Sequence, residues 1–266
     1  MADTVLYEVT DGLGTITINR PDAMNAMNTE AKVALREAVL AAAEDTAVRA
    51  VLLTATGRAF CVGQDLKEHI SSLTADREAG TGNTMSTVRE HYNPILRALV
   101  DMPKPVVAGI NGVAAGAGLG FALAADYRIA ADTSAFNTSF AGVALTADSG
   151  VSWTLPRLIG YGRASDLLLF PRSIKAQEAL ELGLVNRVVP AAALAAEATA
   201  MARALAEGPT VAYAALKASL AYGSEHGLSD TLEKEDELQS LAGASEDHAI
   251  AVQAFVDKAK PKYLGR

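Results

Sequence analysis

Apolar and polar residues alternate in two short runs near the start of the chain, on either side of DGLG in TVLYEVTDGLGTITINR. A period of two belongs to a strand with one buried face, and Asp-Gly favours a two-residue turn. The pattern predicts a β-hairpin with Asp11 and Gly12 in the turn. After Pro21 the period becomes helical. Val33, Leu35, Val39 and Leu40 predict a helix running to about Ala43, with Thr29 as its cap. RAVLLTAT, KPVVAGI and YRIAAD are short continuous apolar runs, as expected of strands buried on both faces. NGVAAGAG reads as a tight glycine-rich turn and LGFALAAD as a helix of small residues. Residues 83–100 read as a helix with Tyr92, Ile95, Leu96 and Leu99 on one face. Pro94 either kinks it or sits early in a second segment. From Asp148 onward the pattern is almost wholly helical, punctuated by Pro171, Gly183, Pro190, Gly208 and Gly227. Strands alternating with helices to about residue 140, followed by helices, predict an α/β chain with a sheet core and a helical C-terminal part.

Composition narrows the class of function. Half of the 266 residues are apolar and 20% are charged, which suits a large buried core. A net charge of −8 argues against nonspecific nucleic-acid binding. Cys61 is the single cysteine, so no intrachain disulfide and no Cys-rich zinc site can form. The opening MADTVLYEVT reads as neither a secretory signal nor a transit peptide. The apolar run PVVAGINGVAAGAGLGFALAAD is broken by Gly and Asn, and so reads as core and not as a membrane span. The expectation is a soluble cytoplasmic protein.

Two glycine turns each follow a buried strand and lead into a helix: CVGQDL (61–66) and AAGAGLG (114–120). Each would expose backbone N–H groups at a helix start, where the partial charge is positive. Side by side, they would aim two donors at one carbonyl oxygen. Each turn alone is also explained by close helix-to-sheet packing. The second turn spaces its glycines as G-x-G-x-G, with Asp126 too near to act as a ribose acid, which departs from the dinucleotide fingerprint. No G-x-S-x-G elbow accompanies His69 or His91, so a Ser-His-Asp triad is not expected. Cys61 reads as core. Asp65 reads as the cap of the helix beginning LKEH, and Glu233, Glu235, Asp236 and Glu237 as a solvated helix face. Asp148, a lone acid in GVALTADSGVSWTLPRL, reads either as a helix cap or as a proton-moving group.

NRPDAMNAMN, GRAFCVGQDL, KPVVAGINGVAAGAGLGFALAADYRIA and ALELGLVNRVV resemble the crotonase, or enoyl-CoA hydratase/isomerase, family over residues 5–262. The resemblance implies a crotonase-like ββα-spiral core that binds acyl-CoA (1–200) and a helical C-terminal trimerisation region (201–266). The assembly would be a homotrimer or a dimer of trimers. The substrate would be an acyl-CoA thioester, with no cofactor beyond the CoA it carries. By position, the N–H groups of Gln64 and Ala117 would form the oxyanion hole. Ala23, Val62, Asp65, Leu66, Gly116 and Phe140 would bind CoA or substrate. Lys258, Lys260, Lys262 and Arg266 would either meet CoA phosphates across a subunit boundary or form a plain basic tail.

The chain departs from the family's hydratases at their two glutamate positions, which hold Gly120 and Phe140. Neither can titrate, whereas hydration suits a pair of acids. VALTADSGVSWTLPR instead places Asp148 where phenylacetate-pathway isomerases of the 1,2-epoxyphenylacetyl-CoA type, some 3-enoyl-CoA isomerases and 4-chlorobenzoyl-CoA dehalogenases carry an acid. It has Ala147 for the usual Pro and Val151 for a Gly. Asn93 in HYNPILRAL stands where the dehalogenases place a catalytic His, which counts against dehalogenation. The expected activity is isomerisation of an acyl-CoA with Asp148 catalytic. The alternatives are a hydratase using Asp148 with water, and a noncatalytic acyl-CoA binder.

Overall fold

Strands β1 (Val5–Thr10) and β2 (Leu13–Ile18) form the expected antiparallel hairpin, with Thr10 opposite Leu13. Asp11 and Gly12 both take positive φ, 52° and 81°, the conformation of a type I′ turn. The computed structural model describes residues 3–266, so Met1 and Ala2 of the opening segment lie outside the described residues. Helix α1 (Thr29–Glu44) follows, but Thr29 does not cap it. The Asn28 side chain accepts the Ala31 N–H at 3.0 Å, one residue earlier than expected. Thr29 instead donates its N–H and hydroxyl to the Glu68 carboxylate.

A strand–strand–helix unit then repeats. β3 (Ala50–Ala55) and β4 (Ala59–Cys61) lead to α2 (Leu66–Ala79). A π-helical turn (Val88–Tyr92) opens α3 (Asn93–Asp101), so Pro94 sits at the start of a second segment, where its missing N–H costs nothing. β5 (Val106–Ile110) and β6 (Val113–Ala115) lead to α4 (Ala117–Leu123). The NGVAAGAG stretch therefore holds a short strand within what its composition predicts as a turn. β7 (Tyr127–Ala131) and β8 (Ala135–Asn137) complete the set. The first strand of each unit lies in one sheet and the second turns the corner into another. The result is a six-stranded sheet ordered β1-β2-β3-β5-β7 with one later strand, and a smaller sheet ordered β4-β6-β8 with another. Pairing along β2-β3-β5-β7 is parallel.

After Asp148 come α5 (Val151–Ile159) and α6 (Tyr161–Leu169), β9 (Ile174–Lys175), α7 (Ala176–Leu182), β10 (Arg187–Val189) and α8 (Leu194–Ala206). The two strands correct the almost wholly helical expectation. β10 pairs in parallel with β7 and closes the large sheet, and β9 closes the small one. Runs of two and three residues are too short to leave a period in the sequence. α8 lays Leu194, Ala198, Ala202 and Ala206 on one sheet face, against Leu52, Val107 and Ile129. The other face meets the larger core around Leu53, Ile110 and Phe121. α9 (Thr210–Gly223), α10 (Leu228–Gly243) and α11 (Glu246–Val256) follow, and their outward faces leave Leu216, Leu220, Leu228, Leu232 and Phe255 exposed. The C-terminal strap is pinned by buried Asp247, whose carboxylate accepts the Leu264 N–H at 2.6 Å and the Gly265 N–H at 2.9 Å. Among the described residues no helix is long and apolar enough to cross a membrane.

Candidate functional site

The two glycine turns meet. A Cβ built on Gly63 would stand 3.0 Å from the Ala115 carbonyl and 3.3 Å from the Ala117 nitrogen. That approach is tighter than side chains ordinarily make, and the φ of +85° is also one that they disfavour. A strand-like bridge explains which N–H groups stay free. The Met27 N–H donates to the Gly63 carbonyl and the Asp65 N–H to the Met27 carbonyl, so the Gln64 N–H between them is left out. Ala117 is the first residue of α4, where a helix leaves its N–H groups without internal acceptors. Neither N–H has an acceptor among the described residues.

Both residues line one cavity of about 710 Å³. Its walls are mainly apolar, including Leu66, Leu73, Met85, Phe140, Val143 and Leu145. Val62 and Gly116 also line it. Ala23 and Asp65 do not. Ala23 lies in the short turn Pro21–Ala23, and Ala26 reaches the cavity in its place. Asp65 caps α2 by accepting the Lys67 and Glu68 N–H groups, and it pairs with Arg20 at 3.1 Å. Burial pulls its carboxyl up, but the Glu68 N–H and Arg20 outweigh that and hold it below the usual range.

Among the described residues Asp148 is the one carboxylate lining the cavity. It does not cap α5: Gly150 holds the cap position and no side chain bonds there. Ser149 and Gly150 take consecutive left-handed φ values of 48° and 68°, and this reversal turns Asp148 out of the capping position. Its Oδ1 is buried with no hydrogen-bond partner among the described residues, and so is the neighbouring Ser149 Oγ. Burial raises the Asp148 carboxyl above its usual range. At the first hydratase-glutamate position, a Cβ on Gly120 would collide with the Ser149 carbonyl oxygen. At the second, Phe140 is a buried wall of the cavity.

Tyr92 matters more than its place on a helix face suggests. Its ring is buried, and its hydroxyl donates to Gln64 Oε1 at 2.7 Å. Burial, then the Asp148 charge, raise the phenol further, so it stays protonated as a donor. A phenol on the core side of a helix is the signal that marks it, since a buried hydroxyl needs a partner. His69 also lines the cavity, whereas His91 and Asn93 do not. Cys61 is fully buried and its thiol is pushed up to about 12, which suits a core residue and not a nucleophile.

A ββα spiral enclosing a chamber where two glycine turns meet is the crotonase fold. A chain from Mycobacterium abscessus of the enoyl-CoA hydratase/isomerase kind superposes with a TM-score of 0.95 at 46% identity, covering 98% of this chain and 100% of that one. A probable enoyl-CoA hydratase of Rhodobacter capsulatus is 41% identical over 263 residues, 99% of this chain and 98% of the relative. The 1,2-epoxyphenylacetyl-CoA isomerase of Escherichia coli is 36% identical over 266 residues, 100% of both. The family model described as enoyl-CoA hydratase/isomerase matches residues 8–266. The chain belongs to that family, whose enzymes act on acyl-CoA thioesters.

Proposed function

We propose that this protein is an acyl-CoA isomerase in which Asp148 is the single proton carrier. The thioester oxygen sits against the N–H groups of Gln64 and Ala117. Asp148 takes a proton from the carbon beside the carbonyl, leaving a dienolate whose negative charge the two donors stabilise. The same carboxyl returns the proton two carbons further along, and the double bond moves into conjugation. Preorganised donors of this kind are worth roughly 3 kcal/mol each in measured cases. The observation that carries the reading is the unpartnered, buried Oδ1 of Asp148 in a cavity with no second carboxylate. A carboxyl raised above its usual range gives up and regains a proton near neutral pH more readily than an ordinary one.

The named relatives point two ways, to a probable hydratase and to an isomerase of a ring substrate. Hydration needs one group to activate water while another delivers a proton, and the residues around the chamber favour isomerisation. The test is turnover of 3-hexenoyl-CoA and of crotonyl-CoA by the wild type and by Asp148→Asn. Isomerisation abolished by the substitution supports the reading. Hydration that survives the substitution overturns it, and tight ester binding without turnover makes the protein an acyl-CoA binder.

All the residues named for this chemistry lie within 1–200, the proposed acyl-CoA-binding core. Residues 201–266 carry the exposed apolar faces suited to subunit contact in a trimer or hexamer. Lys258, Lys260 and Lys262 are exposed and free to meet CoA phosphates, while Arg266 pairs with Glu246 at 3.1 Å.

A further inference from the structure

A second cavity, of about 330 Å³, adjoins the chamber: Gln64, His69 and Thr87 line both. The second cavity is lined mainly by polar residues and is more polar than the first. At its wall stands Lys32, only 3% exposed. Its ammonium has no hydrogen bond among the described residues; its nearest partners are Glu68 Oε1 at 3.6 Å and the Tyr92 ring, 5.7 Å to the centroid. The ion pair with Glu68 is longer than a hydrogen bond, so donors of the ammonium stay open at the cavity wall.

The acids of this cavity are already engaged. Glu68 accepts the N–H and hydroxyl of Thr29, both at 2.9 Å. Asp76 accepts the Thr81 hydroxyl at 2.6 Å, with the N–H and hydroxyl of Thr84, and stays ionised with a pKa of about 2. Among the ionisable groups of the lining, the Lys32 ammonium and the ring of His69 have no hydrogen bond among the described residues, and the neutral side chains of Ser72, Asn83 and Ser86 are open as well. Burial lowers the Lys32 pKa, and the charges of Glu68 and Asp65 oppose that shift.

We propose that this cavity is a subsite for an acceptor oxygen at the distal end of the acyl group, which Lys32 binds through its free donors. The substrate class is then an acyl-CoA bearing a ketone or carboxylate beyond the reacting carbons. The inference rests on the acyl-CoA reading of the chamber. It does not depend on whether the chamber isomerises or hydrates.

Saturated esters separate binding from chemistry. The experiment compares calorimetric affinities of hexanoyl-CoA with 5-oxohexanoyl-CoA and adipyl-CoA, and of octanoyl-CoA with 7-oxooctanoyl-CoA and suberyl-CoA. A hydrogen bond to a charged donor predicts that an oxygen-bearing ester of one length binds about tenfold tighter than its plain counterpart. The ratio should fall towards one in Lys32→Met. Tighter oxo and carboxylate esters together indicate any acceptor oxygen, and a tighter carboxylate alone indicates an anion. Equal affinities in the wild type, a comparison that needs no variant, mean that the cavity holds only solvent and overturn the proposal. A preference that survives Lys32→Met overturns the role of Lys32. If no ester binds, the acyl-CoA reading falls and takes this proposal with it, whereas binding without isomerisation leaves it standing.

Discussion

The Ser149 carbonyl oxygen occupies the volume that a side chain on Gly120 would need. A Cβ built there also stands 2.6 Å from the Ser149 Cβ. Gly120 is the position to which the family resemblance assigns the hydratases' first glutamate. In this backbone such a glutamate and the loop that presents Asp148 exclude each other. Gly120→Glu is therefore expected to cost more than about 3 kcal/mol of stability, since overpacking against backbone is joined by burial of an unpaired carboxylate. It should not confer hydration of crotonyl-CoA. Urea denaturation and a hydration assay check both, and a stable variant that hydrates would contradict the account.

Gly63→Ala should damage activity more than stability. A left-handed backbone with a Cβ costs roughly 1–2 kcal/mol, and the methyl would press on the Ala117 nitrogen from 3.3 Å. Losing one such donor costs on the order of a hundredfold in kcat. The expected result is a folded protein with a sharply lower kcat. A kcat within about twofold of wild type would mean that the Ala117 N–H is not used.

Tyr92→Phe leaves the Gln64 side-chain oxygen without its donor. A net loss of about 1 kcal/mol in stability is expected. If Tyr92 acts by holding Gln64 in place, kcat falls while KM for the ester stays near wild type. A KM change alone would assign Tyr92 to substrate binding. Stability and steady-state kinetics on one preparation separate these outcomes.

The sequence makes the scaffold of the site legible, because strand runs and glycine turns leave strong local signals. CVGQDL and AAGAGLG point to two sets of free N–H groups, and both reach one chamber. The absence of titratable groups at Gly120 and Phe140 is legible too. Capping is less so. Asn28 and Thr29 are adjacent and both are competent caps, and only the Glu68 carboxylate from another helix decides between them. Asp148 looks like a cap because the chain after it is helical. The left-handed pair Ser149 and Gly150 removes it from that role, and nothing local in ADSG announces a non-glycine at positive φ. Ala23 and Asp65, expected to bind CoA or substrate, lie outside the chamber lining: Ala23 sits in the turn Pro21–Ala23, and Asp65 engages Arg20 and the start of α2. The Tyr92–Gln64 bond joins residues 28 apart in the chain, a relation that only the fold creates.

Asp247 is buried and holds the C-terminal strap by two backbone N–H groups. Asp247→Ala strands both donors, and hydrogen bonds to a charged acceptor are worth roughly 1.5–3 kcal/mol. The denaturation midpoint should fall by a corresponding amount. The strap should become sensitive to limited proteolysis. A midpoint unchanged from wild type would show that the strap contributes nothing to stability.

The Asp148 carboxyl titrates above its unfolded value. The folded chain therefore keeps this proton to higher pH than the unfolded chain does. Its contribution favours folding below the unfolded pKa of about 4 and is lost as pH rises through the folded pKa. Asp148→Asn removes that loss, so at neutral pH the variant should equal or exceed wild type in stability while isomerisation falls by about 10²- to 10⁴-fold. Denaturation midpoints across a pH series check the first part. A variant less stable than wild type at neutral pH would contradict it.

The most direct test of a carboxylate that moves a proton and adds no water is turnover of 3-hexenoyl-CoA in oxygen-18 water, followed by mass spectrometry. The expected product is 2-hexenoyl-CoA of unchanged mass, formed by the wild type and not by Asp148→Asn. Oxygen-18 appearing in a 3-hydroxyacyl product as the main outcome, with either protein, would contradict it.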